Sequence, residues 1–348
     1  MLKPEEISYI RKKLEESTKP LFFFDDDPDG VSSFLQMYKF AGEGKGICVK
    51  GKPILEEKYA RKVQEYSPDI VFVLDKPLME QEFANAVSQE IIWLDHHAVQ
   101  DVKGVKYFNP RKNDDSDNRP TSYWAYLITK SDDEDVKSDM LWIAMIGIVG
   151  DWNLLLADKF RKKYPYLLPK RIKKPEQALF DSKLGELVQI VDFNLKGGTS
   201  DVMKSIKVLS RIQDPYEILE QTSPKGKYLY KKYMTIKTKY EEIKQQLNID
   251  KKDKFIIFKY KDNSLAISAT LSNELLYRYP DKIIIIAREK QNEIMMSFRS
   301  SKQVIVNNLK EALKVTTGYG GGHDHACGGC IKVHEFDDFI QAFKKTFE

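Results

Sequence analysis

Four apolar segments of this chain end on acidic or imidazole side chains, the residue types that bind divalent cations. The endings are, in chain order, Asp25-Asp26-Asp27-Pro28-Asp29-Gly30, Asp75, Asp95-His96-His97 and Asp151. In an open parallel sheet, the carboxyl ends of the strands meet at one edge, where ligands bind. Carboxylates crowded at such an edge repel one another, and divalent cations are the usual remedy. The endings therefore predict a metal centre.

The first ending has an acid at every second position, Asp25, Asp27 and Asp29. An extended segment would place all three side chains on one side, and Gly30 would allow a sharp turn into the next helix. The alternative is an acidic cluster that caps the helix, since Asp is favoured before a helix.

The other endings each have a structural alternative. Asp75 also fits a strand end that starts a turn, and a histidine on an apolar strand is often structural. Adjacent His96 and His97 would point to opposite faces of an extended segment and so serve two tasks. Asp151 is expected at the C-terminus of a helix, where an acid opposes the helix dipole. That unfavourable placement favours a functional role for Asp151.

A glycine-rich run near the C-terminus, Gly320-Gly321-Gly322-His323, would let the backbone approach an anionic group. A flexible turn is the alternative. A zinc site is a second alternative, with donors His323, His325, Cys327 and Cys330. Such tight spacing is unusual for structural zinc.

Taken together, the four ordered endings and the glycine run resemble the DHH phosphoesterase superfamily, of the RecJ-like or nanoRNase-like kind with a DHH-associated C-terminal domain. An archaeal type is expected. The resemblance implies two divalent ions, most often Mn²⁺, with Mg²⁺ as the alternative. The implied metal ligands are Asp25, Asp27, Asp29, Asp75, His96 and Asp151, with Asp75 bridging the ions.

By the same resemblance, His97 contacts the substrate phosphate. Arg299, Gly321, Gly322 and His323 bind substrate. Superfamily members usually have His where this chain has Asp25, so we expect an altered metal preference. Two ions about 3.5–4 Å apart would activate water and clamp a phosphate oxygen.

The elements that must position these residues follow a strand–helix rhythm. Strands are predicted at 20–25, 46–50, 69–75 and 90–95, and helices at 31–41, 55–66, 79–88, 121–129 and 138–150. An exposed turn is predicted at 131–135. The rhythm predicts an α/β fold with a parallel, doubly wound sheet.

Three regions are expected along the chain: a DHH catalytic domain at 1–175, a helical linker at 176–248 and a smaller α+β C-terminal domain at 249–348. In the last region, strands are predicted at 255–260, 264–268, 282–288 and 293–299, and helices at 272–279 and 304–313. The active site is expected in the cleft between the two domains.

Composition limits the protein class. The 348 residues suit two domains, and a content of 42% hydrophobic and 31% charged residues is typical of a globular protein. No apolar run approaches the ~20 residues of a membrane span, and the N-terminus has no hydrophobic signal region. Three cysteines exclude a disulfide framework and predict a reducing, cytoplasmic location. The net charge of +4 indicates little about partners.

The predicted function is metal-dependent hydrolysis of phosphodiester bonds, acting from an end on short or single-stranded RNA or DNA. Basic, tyrosine-containing stretches at 161–174 and 225–240 would guide a strand, or else form solvated helix faces. The alternatives are a phosphodiesterase for cyclic dinucleotides, a 3′-phosphoadenosine-phosphate phosphatase and, in another class, a non-catalytic RecJ-like replication scaffold. Replication or repair proteins and a second copy of the chain are the other expected partners.

Overall fold

Two compact units make up the protein, unit 1 at Met1–Met234 and unit 2 at Thr235–Glu348. The computed structural model describes residues 1–130, 140–262 and 265–347. The exposed turn predicted at 131–135 lies outside the described residues. The predicted α/β class, with a parallel sheet first and a smaller sheet domain second, is confirmed.

The described helices and strands alternate through the first part of unit 1, and helices follow. In chain order they are α1 (Pro4–Glu16), β1 (Pro20–Asp25), α2 (Pro28–Ala41), β2 (Lys45–Val49), β3 (Ile54–Leu55), α3 (Ala60–Tyr66), β4 (Ile70–Leu74), β5 (Leu78–Met79), α4 (Gln81–Ala86), β6 (Glu90–Leu94), β7 (Lys106–Phe108), α5 (Thr121–Thr129), α6 (Leu141–Gly150), α7 (Ala157–Lys163), α8 (Pro175–Asp181), α9 (Lys183–Asn194), α10 (Thr199–Leu209) and α11 (Tyr216–Leu219).

Helix α12 (Pro224–Lys244) runs from unit 1 into unit 2. The elements of unit 2 are β8 (Phe255–Lys261), α13 (Ser268–Arg278), β9 (Ile283–Lys290), β10 (Glu293–Arg299), α14 (Val306–Ala312), β11 (Tyr319–His323), β12 (Ala326–Lys332) and α15 (Phe336–Lys345).

The main sheet of unit 1 has the strand order β2-β1-β4-β6-β7, and every neighbouring pair is parallel. The four strands predicted in the first part of the chain match β1, β2, β4 and β6 to within one residue. A separate pair, β3 and β5, is also parallel.

Helices cover both faces of this sheet. Consecutive residues of a strand point to opposite faces, so the side chains on each face pack against a layer of helices. On one face, Phe23 and Val73 pack in a cluster with α3 and α4 residues such as Val63 and Phe83. On the other face, Phe24 stacks on Phe34 of α2 at 4.3 Å between ring centroids. The doubly wound arrangement predicted from the strand–helix rhythm is therefore present.

The sheet of unit 2 has the order β11-β12-β10-β9-β8 and is antiparallel except for the pair β8–β9. The strand predicted at 264–268 is wrong within the described residues, because 265–267 have no strand structure and α13 begins at Ser268. Strands β11 and β12 and helix α15 were not predicted. No helix among the described residues combines the length and apolar character that a membrane crossing requires.

Candidate metal and phosphate site

Three acidic strand endings lie side by side at one edge of the main sheet. In the register, Phe24 pairs with Leu74 and Leu74 with Leu94. The next residues along the three adjacent strands are Asp25, Asp75 and Asp95. The expected convergence at the carboxyl edge is therefore seen for these three acids.

The predicted extended run of three acids is wrong at its end. Asp27 is extended and caps α2, accepting a hydrogen bond from the Gly30 backbone at 2.9 Å. Asp29 lies in the first turn of α2, and Gly30 is also helical. Glycine at position 30 permits close approach, since a Cβ there would lie 2.8 Å from the Asp25 backbone nitrogen. Asp27 therefore caps the helix, as the alternative predicted, and metal binding by Asp27 stays a prediction.

The buried side chain of Asp29 contacts the N-terminus of helix α5. The sequence did not identify this helix start as part of the site. Its two carboxylate oxygens accept hydrogen bonds from the backbone N–H groups of Thr121, at 2.8 Å, and Ser122, at 2.9 Å. The Thr121 hydroxyl donates to Asp75 Oδ1 at 2.9 Å. The available sequence signal was the start of a predicted helix at two hydroxyl residues.

His96 lies among three carboxylates. Its Nε2 atom is 3.5 Å from Asp75 Oδ1 and 3.9 Å from Asp29 Oδ2, and its Nδ1 atom is 3.8 Å from Asp151 Oδ2. Asp151 ends α6 as its C-cap residue, as expected. We call Asp29, Asp75, His96 and Asp151 the four-residue cluster.

The spacing of the four-residue cluster fits a divalent ion. Ligands about 2.1 Å from an ion lie roughly 3–4.2 Å apart around it. The distances of 3.5–3.9 Å from the His96 nitrogens fall in that interval. Because the two nitrogens of one ring point away from each other, an ion would use one of them, either Nε2 beside Asp75 and Asp29 or Nδ1 beside Asp151. A donor set of carboxylate oxygens and imidazole, without thiolate, suits Mn²⁺ or Mg²⁺ better than it suits a structural zinc ion.

The same grouping emerges from the donor atoms alone. Among the described residues, two sets of three donors lie within 4.8 Å of one another: Asp75, His96 and His97, and Asp29, His96 and Asp151. Neither set contains Asp25 or Asp27. The structure therefore brings together four of the six predicted metal ligands and leaves two outside these sets.

The environment of the cluster raises the pKa values of its carboxylates and so disfavours their charged forms. Burial, followed by the negative charge of Asp29, raises the pKa of Asp75 well above its ordinary value. Burial also raises the pKa of Asp29, opposed by its hydrogen bonds from the start of α5. For Asp151, whose side chain is 38% exposed, partial loss of solvation and the charge of Asp29 both raise the pKa. A bound cation would relieve this cost by favouring the charged forms.

His97 has different partners from His96. Its Nδ1 atom is 2.7 Å from Oδ1 of the fully buried Asp95, which also accepts from the Tyr107 hydroxyl and the Asn109 amide. Burial lowers the pKa of His97, but the hydrogen bond and charge of Asp95 outweigh it and raise the pKa to about 9. The prediction that the two histidines point to opposite faces is wrong, since their ring centroids are 4.4 Å apart.

Asp25 contacts a buried lysine. The Lys76 ammonium donates to Asp25 Oδ1 at 2.9 Å and to the Lys52 carbonyl at 2.8 Å, and Lys76 has no exposed surface. Burial raises the pKa of Asp25 to about 7, although Lys76 opposes that rise. The sequence alone did not indicate this ion pair, because Lys76 follows Asp75 in the turn that was its structural alternative.

Two backbone features keep the site compact. Asp75 has φ +60°, the left-handed region, where β4 ends and the chain turns towards Lys76. Gly147 of α6 lies against the site, because a Cβ there would be 2.4 Å from Ser122 Oγ and 3.0 Å from Asp29 Oδ1.

In unit 2, two of the predicted substrate-binding residues, Arg299 and His323, lie in one row across three strands. Arg299 of β10 and His323 of β11 both pair with Ala326 of β12, which lies between them. Residues in register across a sheet project from the same face. The Arg299 guanidinium is hydrogen-bonded to Asn273 Oδ1 at 2.7 Å, and His323 is exposed.

The glycine run forms edge strand β11 and is not a flexible turn. Gly322 has φ +139°, and a Cβ on Gly321 would meet nothing within 4 Å. Open backbone beside the Arg299–His323 row is therefore available for close contact with a ligand.

The zinc alternative finds no support among the described residues. Cys327 and Cys330 are three positions apart on β12, so they project to opposite faces. Cys327 packs in the unit 2 core and lies 3.1 Å from the carbonyl oxygen of His323, to which its thiol donates.

The two basic stretches differ in exposure. In 225–240, Tyr233 and Tyr240 are fully buried, and Lys232 donates to the Asn194 carbonyl and the Ser205 hydroxyl, both at 3.0 Å. These two tyrosines are therefore not available to stack on a base. In 161–174, Tyr166 is 82% exposed and stands among exposed lysines.

The comparisons with known proteins agree on the fold. A family profile, the DHHA1 domain, matches residues 252–348. RecJ in complex with Mn²⁺ from Thermus thermophilus is 13% identical with a TM-score of 0.73, covering 99% of this chain and 55% of that chain. This chain thus spans about half of that RecJ.

Two further structures match over nearly their whole length. Manganese-bound exonuclease RecJ has 13% identity and a TM-score of 0.65, covering 99% of this chain and 94% of that one. The pGpG-specific phosphodiesterase PggH from Vibrio cholerae has 15% identity and a TM-score of 0.51, and the match covers 94% of this chain and 98% of that chain. A comparison with curated proteins finds no match. At these identities the structural likenesses show the fold.

Proposed function

We propose that this chain, which belongs to the DHH superfamily by its DHHA1 domain, its fold and its ordered motifs, is a divalent-metal-dependent phosphodiesterase. Its substrate would be short or single-stranded nucleic acid, hydrolysed from an end. The observation that carries the proposal is the position of His96, whose ring nitrogens lie 3.5–3.9 Å from three carboxylates at the edge of the sheet.

The residues of the four-residue cluster would hold the divalent ion. When bound, such an ion polarises a phosphate oxygen and lowers the pKa of an attacking water. The hydrogen bonds from the start of α5 fix the Asp29 carboxylate, and the Thr121 hydroxyl fixes Asp75. These contacts orient the carboxylates before any ligand arrives, which limits the reorganisation that binding requires.

His97 would bind the phosphate undergoing attack. Its Nδ1 atom is committed to Asp95, whose hydrogen bond and charge raise the pKa of the ring and favour its protonated form. A protonated imidazole is a cationic donor and a poor metal ligand. His97 would therefore donate from Nε2 to a non-bridging oxygen and stabilise the charge that develops there.

Unit 2 would bind the remainder of the substrate. Arg299 and His323 in their row supply a guanidinium and an imidazole for phosphate or base, and Gly321 and Gly322 allow the backbone to approach. These assignments rest on the resemblance together with the shared face of the two side chains.

A nucleic acid chain end is favoured by likeness to a protein whose printed description is an exonuclease. The exposed basic stretch at 161–174 supports the same choice, because lysines and an exposed tyrosine suit a phosphate backbone and a base. A dinucleotide is the second candidate substrate, favoured by the match to a pGpG-specific phosphodiesterase along 98% of that chain.

The test uses end-labelled RNA and DNA oligomers of graded length, with pGpG as the shortest, incubated with Mn²⁺ and sampled over time. Stepwise shortening from one end supports the proposal, and cleavage of pGpG alone supports the second candidate. Chelator should abolish the activity and added Mn²⁺ should restore it. Absence of hydrolysis for every substrate with both Mn²⁺ and Mg²⁺ would leave the non-catalytic scaffold as the better account.

A further inference from the structure

Lys76 is a buried cation in the middle of the acidic edge. Its side chain has no exposed surface, and its ammonium group donates hydrogen bonds to Asp25 Oδ1 and to the Lys52 carbonyl. The backbone is anchored as well, since the Trp93 indole donates to the Lys76 carbonyl at 2.9 Å. The ammonium group is therefore a fixed part of the site.

Asp25 has its Oδ1 atom engaged by two donors. The carboxylate oxygen that accepts from Lys76 also accepts from the Asp26 backbone N–H at 2.9 Å. A lysine ammonium and a divalent cation would serve the same purpose at Asp25, since each neutralises a carboxylate at a crowded edge.

A dication that recruited Asp25 would face two opposing effects. It would stand beside a like charge that has no access to water, and by drawing on the Asp25 carboxylate it would weaken the ion pair of that carboxylate with Lys76. Buried ion pairs resist the loss of one partner strongly. The four-residue cluster has no such obstacle, and among the described residues the compact donor sets exclude Asp25 and Asp27.

We propose that the Lys76 ammonium takes the place of one divalent cation beside Asp25, so that the substrate-free chain binds a single divalent ion in the four-residue cluster. The inference rests on the proposed metal-dependent function and departs from the two ions that the sequence resemblance implies. It assigns Lys76 as a built-in counter-cation of the site.

The experiment counts Mn²⁺ on the metal-free full-length protein by equilibrium dialysis and records the electron paramagnetic resonance spectrum of the bound ions. The wild-type protein should bind one Mn²⁺ per chain at micromolar free Mn²⁺ and give the spectrum of an isolated ion. Lys76→Met should bind two, with the exchange coupling expected of ions about 3.5–4 Å apart.

Lys50→Met is the matched control. Lys50 is a partly buried lysine 3.9 Å from Asp26, so its loss changes the local charge equally but leaves Asp25 paired. This variant should still bind one ion. If Lys76→Met fails to fold, Asp25→Asn answers the same question, because Mn²⁺ affinity should change less than threefold when Asp25 is not a ligand.

Two tightly bound, coupled ions in the wild-type protein would overturn the inference while leaving the proposed function intact. So would a tenfold or larger loss of Mn²⁺ affinity in Asp25→Asn. A wild-type protein that binds no Mn²⁺ would instead overturn the proposed function.

Discussion

Asp75 combines a metal-ligand position with an unfavourable backbone. Its φ of +60° places it in the left-handed region, which costs a non-glycine residue of order 1–3 kcal/mol. Its buried carboxylate lies 3.5 Å from His96 and accepts from Thr121. Both features cost folding energy, and a metal ligand is a role that would justify them.

The first prediction concerns this residue. Asp75→Ala should lower the rate of phosphodiester hydrolysis to less than about a tenth of the wild-type rate, because the cluster loses a carboxylate that contacts His96. The measurement is kcat/KM on an end-labelled oligonucleotide, together with the thermal unfolding curve.

Two variants control this result. Asp75→Asn tolerates the left-handed backbone and so separates loss of the ligand from backbone strain. Asp26→Asn removes a neighbouring acid outside the cluster and should keep nearly full activity. An Asp75→Ala protein that remained folded and retained more than a tenth of the rate would contradict the assignment.

The second prediction is the pH dependence of the metal-free protein. Burial raises the pKa of Asp75 and Asp29, and that of Asp25 to about 7, above the ~3.9 of an unfolded chain. The folded state therefore binds more protons than the unfolded state, and these groups favour folding less as pH rises from about 4 through 7.

The thermal midpoint of the metal-free protein should thus be lower at about pH 8 than at about pH 5.5. Added Mn²⁺ should raise the midpoint more at the higher pH, where the cluster is deprotonated. An equal Mn²⁺-induced rise at both pH values would show that the cluster is not the binding site.

The sequence predicted the acids at the strand ends but not the groups that bond to them. Asp25, Asp75 and Asp95 follow apolar runs, so the ends of predicted strands located them. Thr121 and Ser122 begin a predicted helix, but that pattern does not indicate which acids the helix start contacts, and no local pattern indicates the ion pair of Lys76. Asp29 was predicted in an extended run because alternation at a strand end and the first turn of a helix look alike in sequence.

At the scale of elements, the close packing of α2, α5 and α6 sets the shape of the cluster. Gly147 is the contact point, where a side chain would press on Ser122 and Asp29. The third prediction is that Gly147→Ala destabilises the protein by about 1–3 kcal/mol through overpacking and weakens Mn²⁺ binding through displacement of Asp29.

Gly198→Ala is the control, since a Cβ there meets nothing within 4 Å. It should cost less than about 1 kcal/mol, the size of a helix-cap effect, and leave Mn²⁺ affinity unchanged. Chemical denaturation and Mn²⁺ titration measure the two quantities. Equal effects of both substitutions would contradict a role for Gly147 in packing the cluster.

Buried parallel strands were the elements best predicted from sequence, because they appear as apolar runs with acidic ends. Strand β11 was missed for a physical reason. Glycine has a low intrinsic preference for strands, and pairing with β12 holds the run extended. The strand predicted at 264–268 is the opposite case, a strand predicted where none forms. Among its described residues, 265–267 have no strand structure and Ser268 begins α13.

At the scale of the whole molecule, the two units supply different parts of the proposed function. The fourth prediction is that His323→Ala raises KM or lowers kcat at least about tenfold for pGpG and longer oligomers alike, as loss of a charge-assisted phosphate contact would. Mn²⁺ binding should be unaffected, because the cluster belongs to unit 1.

His325→Ala provides the comparison. His325 is an exposed histidine two residues away whose Nδ1 is 2.9 Å from the Gln303 carbonyl oxygen. Its replacement should leave both kinetic constants within about twofold. A His323→Ala protein with wild-type kinetics on both substrates would remove His323 from the substrate-binding residues.

The division of the chain into Met1–Met234 and Thr235–Glu348 also sets an order of events during synthesis. The whole four-residue cluster lies between Asp29 and Asp151, and the 114 residues of unit 2 take about 6–23 s to be translated at ~5–20 residues per second. N-terminal domains generally fold first. A nascent chain on the ribosome would therefore be able to take up the proposed ion seconds before the Arg299–His323 row exists.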